Sequence, residues 1–142
     1  MAQMYAHGMI TPILALVLWS LVMWVWLYAT RIPAMAKANV DLNEARMTGA
    51  LALPPQVRWP ADNYNHLMEQ PTIFYAAAFA AQLSNAADAI NIGLAWAYVT
   101  LRVIHSLVQA TSNIIMLRFS IFSISSIVLS ILAIRTMVLL LS

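Results

Sequence analysis

The chain has 142 residues, of which 63% are hydrophobic and only 8% are charged, and its formal net charge is +2. A soluble domain carries about 25% charged residues, so this composition predicts an integral membrane protein with a single domain over residues 1–142. The basic residues are scattered along the chain, which argues against nucleic-acid binding. The lack of cysteine excludes a protein thiol nucleophile and a disulfide framework, and no cluster with metal-ligand spacing predicts a metal site.

Four apolar segments are long enough to cross a bilayer, at approximately residues 9–31, 62–84, 89–112 and 118–141. The first carries no charge from Met9 to Thr30 and covers roughly 30 Å at about 1.5 Å per residue. The connection over residues 32–61 is the only long hydrophilic segment, and it is either a functional lid or an exposed connector with a short surface helix near residues 40–47. These segments predict an all-α membrane bundle.

Two features of the second span bear on packing. Pro71 removes a backbone donor inside the helix and predicts a kink close to Glu69. The alanine-rich stretch Ala76–Ala81 allows neighbouring helices to approach closely. In the fourth span, Arg135 lies near the far end, where its side chain is expected to extend outward to the membrane surface.

The basic residues that flank the spans predict the orientation. Arg102 and Arg135 lie within spans. The other basic residues lie in or beside the long first connection or at the edge of the third connection: Arg31, Lys37, Arg46, Arg58 and Arg118. The positive-inside rule therefore places the long loop in the cytoplasm and both termini outside. The expected location is the membrane, with membrane lipid as the surrounding partner.

The third span carries the most informative polar residues. Arg102, His105 and Gln109 follow one another at steps of three and four, so they share one helix face. An arginine at the bilayer centre costs roughly 2.5–3.5 kcal/mol, so it needs a polar interior and a partner. We predict an ion pair between Arg102 and Glu69, in which loss of one partner costs about 3–5 kcal/mol. His105 is either a hydrogen-bonded interior histidine or a catalytic group.

The remaining polar candidates lie at the cytoplasmic end of the predicted bundle. Asn65 and His66 stand near the start of the second span, and Asn113 follows the third. Arg118 opens the fourth span, where a cation opposes the helix dipole. It is therefore either an ordinary basic residue at a helix start or a functional one.

With these residues in view, the chain resembles the MAPEG family, the membrane-associated proteins of eicosanoid and glutathione metabolism, especially its small bacterial members. The likeness rests on four spans, the long first loop, the block Asn63–Pro71 and the spacing of Arg102, His105 and Arg118, which is similar to that of microsomal glutathione transferases. It implies a four-helix bundle assembled as a homotrimer. It also implies glutathione bound between protomers, with Arg118 holding the thiolate and Glu69 among the binding residues.

The resemblance therefore predicts a membrane-bound glutathione-dependent transferase or peroxidase that acts on lipophilic electrophiles. Lowering a thiol pKa by about two units takes roughly 2.7 kcal/mol of thiolate stabilisation, which one arginine in a partly dry cleft can supply. The predicted binding residues are Glu69, His66, Asn65, Arg102, His105, Gln109 and Asn113.

The alternative is a non-catalytic subunit with this fold, or a lipid-binding accessory protein of a larger membrane complex. Four positions favour it, because well-studied eukaryotic members of the family carry different residues there: Asp62, His66, Gln70 and Gln109.

Overall fold

The computed structural model describes residues 8–38, 41–48 and 53–142, apart from the side chains of Leu42 and Glu44. These residues form only helices: α1 (Ile10–Lys37), α2 (Leu42–Thr48), α3 (Pro55–Leu83), α4 (Ala89–Thr111) and α5 (Ile115–Leu141). The predicted all-α class is confirmed. Among the described helices, α1, α4 and α5 are each long and apolar enough to cross a membrane. The chain is therefore an integral membrane protein, whereas the crossing of α3 stays a prediction.

Prolines stand at the start of α3 and inside both α1 and α3. Pro54 precedes α3 and Pro55 occupies its first position, where the missing backbone donor would have no partner in any case. The helix then continues through Pro60 and Pro71 to Leu83, so it begins well before Asp62, the predicted start of the span. Helix α1 likewise continues through Pro33 to Lys37, beyond residue 31. A helix can extend past the bilayer, so these bounds do not define the membrane segments.

Helix α2 shortens the predicted long loop. It covers Leu42–Thr48, close to the short surface helix expected near residues 40–47, although Val40 lies outside the described residues. The flanking residues 39–40 and 49–52 are not described, so the choice between a lid and a connector stays open.

Asparagine residues make the two tight turns of the bundle. Asn85 follows α3 with φ 59°, and Asn113 follows α4 with φ 48°. Asparagine tolerates this left-handed region better than most residues with a side chain. Near the first turn, the Asp88 carboxylate caps α4 by accepting from the Asn91 backbone N–H at 2.9 Å. The same carboxylate pairs with Arg135, at the end of the bundle where α3 turns into α4. The outward extension of Arg135 to the membrane surface stays a prediction.

Helices α3 and α4 form the centre of the bundle. Each packs against the other three long helices, whereas α1 and α5 lie on opposite sides without contact. Their interface includes Phe74 and Tyr98, which are both fully buried and stack at 4.6 Å between ring centroids. Ala78 and Ala81 are also fully buried and let α3 pack closely. Inside a bilayer, such packing stabilises mainly through van der Waals contact, because lipid is as apolar as the core.

Candidate functional site

A polar face of α4 is enclosed inside the bundle. Arg102, His105 and Gln109 are 0%, 2% and 1% exposed, which agrees with their shared helix face. Helix α3 runs antiparallel to α4 and turns its own polar side chains toward them. We call the buried polar residues of this part of α3 and α4, together with the rings of His66 and Phe122, the Arg102 cluster; it comprises Asn63, His66, Arg102, His105, Ser106, Gln109 and Phe122.

Arg102 is satisfied only in part. Its Nη2 donates to the His66 carbonyl oxygen at 3.0 Å, and its guanidinium carbon lies 5.6 Å from the centre of the Phe122 ring. Its Nε and Nη1 are buried and have no hydrogen-bond partner among the described residues. The positive charge is thus held by a backbone dipole and an aromatic face instead of a carboxylate.

The predicted ion pair between Glu69 and Arg102 is wrong. The side chain of Glu69 is 67% exposed, and its Oε2 lies 3.6 Å from Nδ1 of His66 on the same helix. The reason is helix phase. The buried face of α3 passes through Leu67 and Pro71, and a residue midway between them lies about 200° from each, on the opposite face. Asn65 is exposed on that same outer side.

Three rings from three helices meet beside Arg102. The ring centroids of His66 and His105 are 5.9 Å apart, and each lies near Phe122, at 6.3 Å and 6.1 Å respectively. Nδ1 of His105 is buried without a partner in the described structure. His105 is therefore an interior histidine whose ring nitrogen still has an unused hydrogen-bonding position.

Several other polar atoms of the cluster also lack partners. Both side-chain polar atoms of Asn63, Oγ of Ser106 and Oε1 of Gln109 are buried and make no hydrogen bond to any described residue. Leaving such a group unsatisfied costs about 1–3 kcal/mol each. Atoms of this kind are satisfied by water, by a ligand or by another chain. The Arg102 cluster therefore has unused capacity to bind a polar partner.

Arg118 and Asn113 lie at the end of the bundle nearest this cluster. Both are half-buried, and Nη1 of Arg118 donates to Oδ1 of Asn113 at 2.8 Å. Arg118 is also close enough to His66 and His105 to interact with them electrostatically. The structure thus brings together six of the eight predicted site residues: His66, Arg102, His105, Gln109, Asn113 and Arg118. The other two, Asn65 and Glu69, lie on the exposed outer face of α3.

A second set of contacts continues the polar region away from Arg118. The Tyr98 hydroxyl donates to Oε1 of Gln70 at 3.4 Å, and Nε2 of Gln70 donates to Oγ of Ser126 at 2.7 Å.

Sequence reasoning did not identify Ser106 or Phe122. Ser106 follows Arg102 by four residues on α4, and Phe122 follows Arg118 by four residues on α5. Helix spacing therefore places both on the same faces as predicted site residues, although composition does not mark either as a contact of Arg102.

Comparison with known proteins gives one match. A family model described as the MAPEG family matches residues 9–138, from the turn before α1 into the last turn of α5. Neither the curated proteins nor the solved structures give a match to the chain.

Proposed function

Because the chain belongs to the MAPEG family, which includes glutathione transferases and peroxidases as well as non-catalytic members, we propose that it is a glutathione-dependent membrane enzyme. It transfers glutathione to lipophilic electrophiles or uses it to reduce lipophilic peroxides. The bilayer supplies such substrates by dissolving them, and the polar end of the bundle supplies the site for glutathione.

One observation carries this proposal. Two arginines, Arg102 and Arg118, converge on the same end of the bundle, and neither forms an ion pair with a carboxylate in the described structure. Glutathione has two carboxylates, one ammonium group and a thiol, so it is an anion, and it becomes more negative when the thiol ionises. Guanidinium groups in a partly dry site favour that ionised form.

The proposed roles follow from position. Arg118 is half-buried and can meet a ligand that enters from the end of the bundle, so it is assigned the thiolate. Arg102, His105, Gln109 and Asn113 supply hydrogen bonds and positive potential behind it. Glu69 and Asn65, on the outer face of α3, are assigned to the ammonium end of the ligand, with His66 between the two groups.

The outer face of α3 supports assembly with further copies. Asn65, Glu69 and Thr72 are exposed there, and a carboxylate facing hydrocarbon is costly. In addition, α3 is not among the described helices that are apolar enough to span a membrane by composition. A second copy that covers this face would shield the carboxylate and complete the ligand site between protomers. The family resemblance supplies the number three, a homotrimer.

The same proposal includes an orientation. The Arg118 end and the α1–α3 connection face the cytoplasm, where glutathione is made, and both termini lie outside. The membrane is the inner membrane of a bacterium.

Arg118→Ala tests the proposal most simply. Purified protein in mild detergent would be assayed for conjugation of glutathione to a chlorodinitrobenzene and for reduction of cumene hydroperoxide. Loss of about 2.7 kcal/mol of thiolate stabilisation would lower kcat/KM about 100-fold. The matched control is Arg46→Ala on the exposed surface of α2, which is expected to keep wild-type activity. Equal activity in the two variants would show that Arg118 does not stabilise the thiolate.

One observation favours a second candidate, a non-catalytic member of the family. Arg102 is completely enclosed and is held by a carbonyl and a ring of its own chain, which also suits a structural role. This alternative predicts no activity with either substrate and co-purification with a stoichiometric membrane partner.

A further inference from the structure

We propose that Phe122 is the positioning residue of this site, which holds the unpaired Arg102 guanidinium in place and sets the rotation of α5 that carries Arg118. Its link to a glutathione site rests on the proposed function. Its link to Arg102 stands on the contacts alone.

Phe122 is the common neighbour of the three cationic or ionisable side chains at this level of the bundle. Its ring centre lies 5.6 Å from the Arg102 guanidinium carbon, 6.1 Å from the His105 ring and 6.3 Å from the His66 ring. His66 comes from α3, Arg102 and His105 from α4, and Phe122 from α5. One side chain therefore joins three helices at the point where the buried charge lies.

The ring also has an electrostatic role that an aliphatic side chain cannot fill. The face of an aromatic ring carries negative partial charge, and it attracts a cation more strongly when both are removed from water. Arg102 is fully buried and has no carboxylate partner in the described chain. The ring of Phe122 and the His66 carbonyl therefore provide the compensation that an acid usually provides.

The position of Phe122 on α5 connects this compensation to Arg118. Arg118, Phe122 and Ser126 are spaced by four residues, so they lie on one face of the helix. Arg118 bonds to Asn113, and Ser126 accepts from Gln70. Phe122 is the middle of three successive contacts that fix which way α5 faces. The buried residues of α5, Ser125, Leu129, Leu132 and Thr136, all lie beyond Phe122 in the chain, so its ring is the packing contact nearest to Arg118.

A thermal-unfolding cycle tests the link between Phe122 and Arg102. Phe122→Leu and Arg102→Met would be measured singly and together in detergent, with Phe119→Leu, at an exposed residue of the same helix, as the matched control. Phe122→Leu is expected to lower the Tm by about 5 °C in the wild-type background and by clearly less beside Arg102→Met. Phe122→Tyr keeps the aromatic face and is expected to retain the wild-type Tm. An equal loss in both backgrounds would overturn the proposal.

A second measurement tests the positioning of Arg118. The ultraviolet absorbance of the thiolate would be followed in glutathione-loaded wild-type protein and variants as the pH is raised. The pH midpoint of thiolate formation is expected to rise in Phe122→Leu by about one unit and to stay at the wild-type value in Phe122→Tyr and Phe119→Leu. A wild-type midpoint in Phe122→Leu would overturn this part. A wild type with no thiolate signal would instead contradict the proposed function, and the unfolding cycle would still decide the role of Phe122.

Discussion

Two arginines of the bundle, Arg102 and Arg135, have opposite kinds of partner. Arg135 pairs directly with Asp88, whose carboxylate also caps α4, so that charge is closed within the chain. Arg102 lies deeper, at 0% exposure, and pairs with no carboxylate of the described structure. The more deeply buried charge is therefore the one that has no carboxylate partner in the described structure.

This difference indicates that Arg135 contributes to stability, whereas Arg102 is available for binding. The contact of Arg135 ties the last turns of α5 to the turn between α3 and α4, and it leaves no charge for a ligand. A buried guanidinium without an acid costs stability, and proteins retain such local conflicts mainly at functional sites. The Arg102 end is accordingly suited to receive an anion from outside the chain, whereas the Arg135 end is suited to hold the fold.

The largest expected effect comes from removing the unpaired charge. Arg102→Met should weaken glutathione binding about 10- to 100-fold, or roughly 1.4–2.7 kcal/mol. Stability should stay unchanged or rise, because no acid is left stranded. Equilibrium titration with glutathione and thermal unfolding would be measured on the same preparation. Unchanged binding together with a large loss of stability would show that Arg102 is structural, like Arg135.

The next effect is expected at the opposite end. Asp88→Ala removes both the helix cap and the partner of Arg135, and should lower stability by about 1–2 kcal/mol. Glutathione affinity should stay within twofold of the wild type, because Asp88 is far from Arg118 along the bundle. Denaturant unfolding measures the loss of stability, and titration with glutathione measures the affinity. Asp62→Ala, an exposed aspartate of α3, is the matched control for the unfolding measurement alone, because it lies close to His66.

A smaller effect divides the two roles of Asp88. Asp88→Asn keeps a side-chain oxygen for the cap and removes the charge, so the loss should be about 0.5–1 kcal/mol. Raising the salt concentration should weaken the wild type toward this variant, since the pair is partly exposed. A loss as large as that of Asp88→Ala would mean that the cap contributes nothing.

The smallest expected value is a coupling. In a double-mutant cycle of Glu69→Gln and Arg102→Met, the interaction energy should stay below about 0.5 kcal/mol, because the two side chains are not in contact. A coupling of about 3 kcal/mol would show that Glu69 and Arg102 do form the predicted ion pair, in contradiction to the structure.

The sequence identified the polar face of α4 correctly, because steps of three and four residues determine which side chains share a helix face. The predicted pair of Glu69 with Arg102 is wrong because opposite charge alone does not bring two side chains together, and the phase of α3 turns Glu69 away from Arg102. The buried positions Asn63, Leu67 and Pro71 place Glu69 on the outer side. Sequence reasoning missed Phe122, since a ring in an apolar helix has no compositional signal for contact with a cation. Helix α3 begins at Pro55, before the predicted span, because proline at the first helical position loses no backbone hydrogen bond.

The central claim is that the Arg118 end of the bundle binds glutathione. An experimental structure of the protein in lipid nanodiscs with saturating glutathione tests it most directly. The account predicts a tripeptide between neighbouring copies, with its sulfur beside the Arg118 guanidinium and its ammonium group beside Glu69. A lipid in that position, or no bound molecule at all, would contradict it.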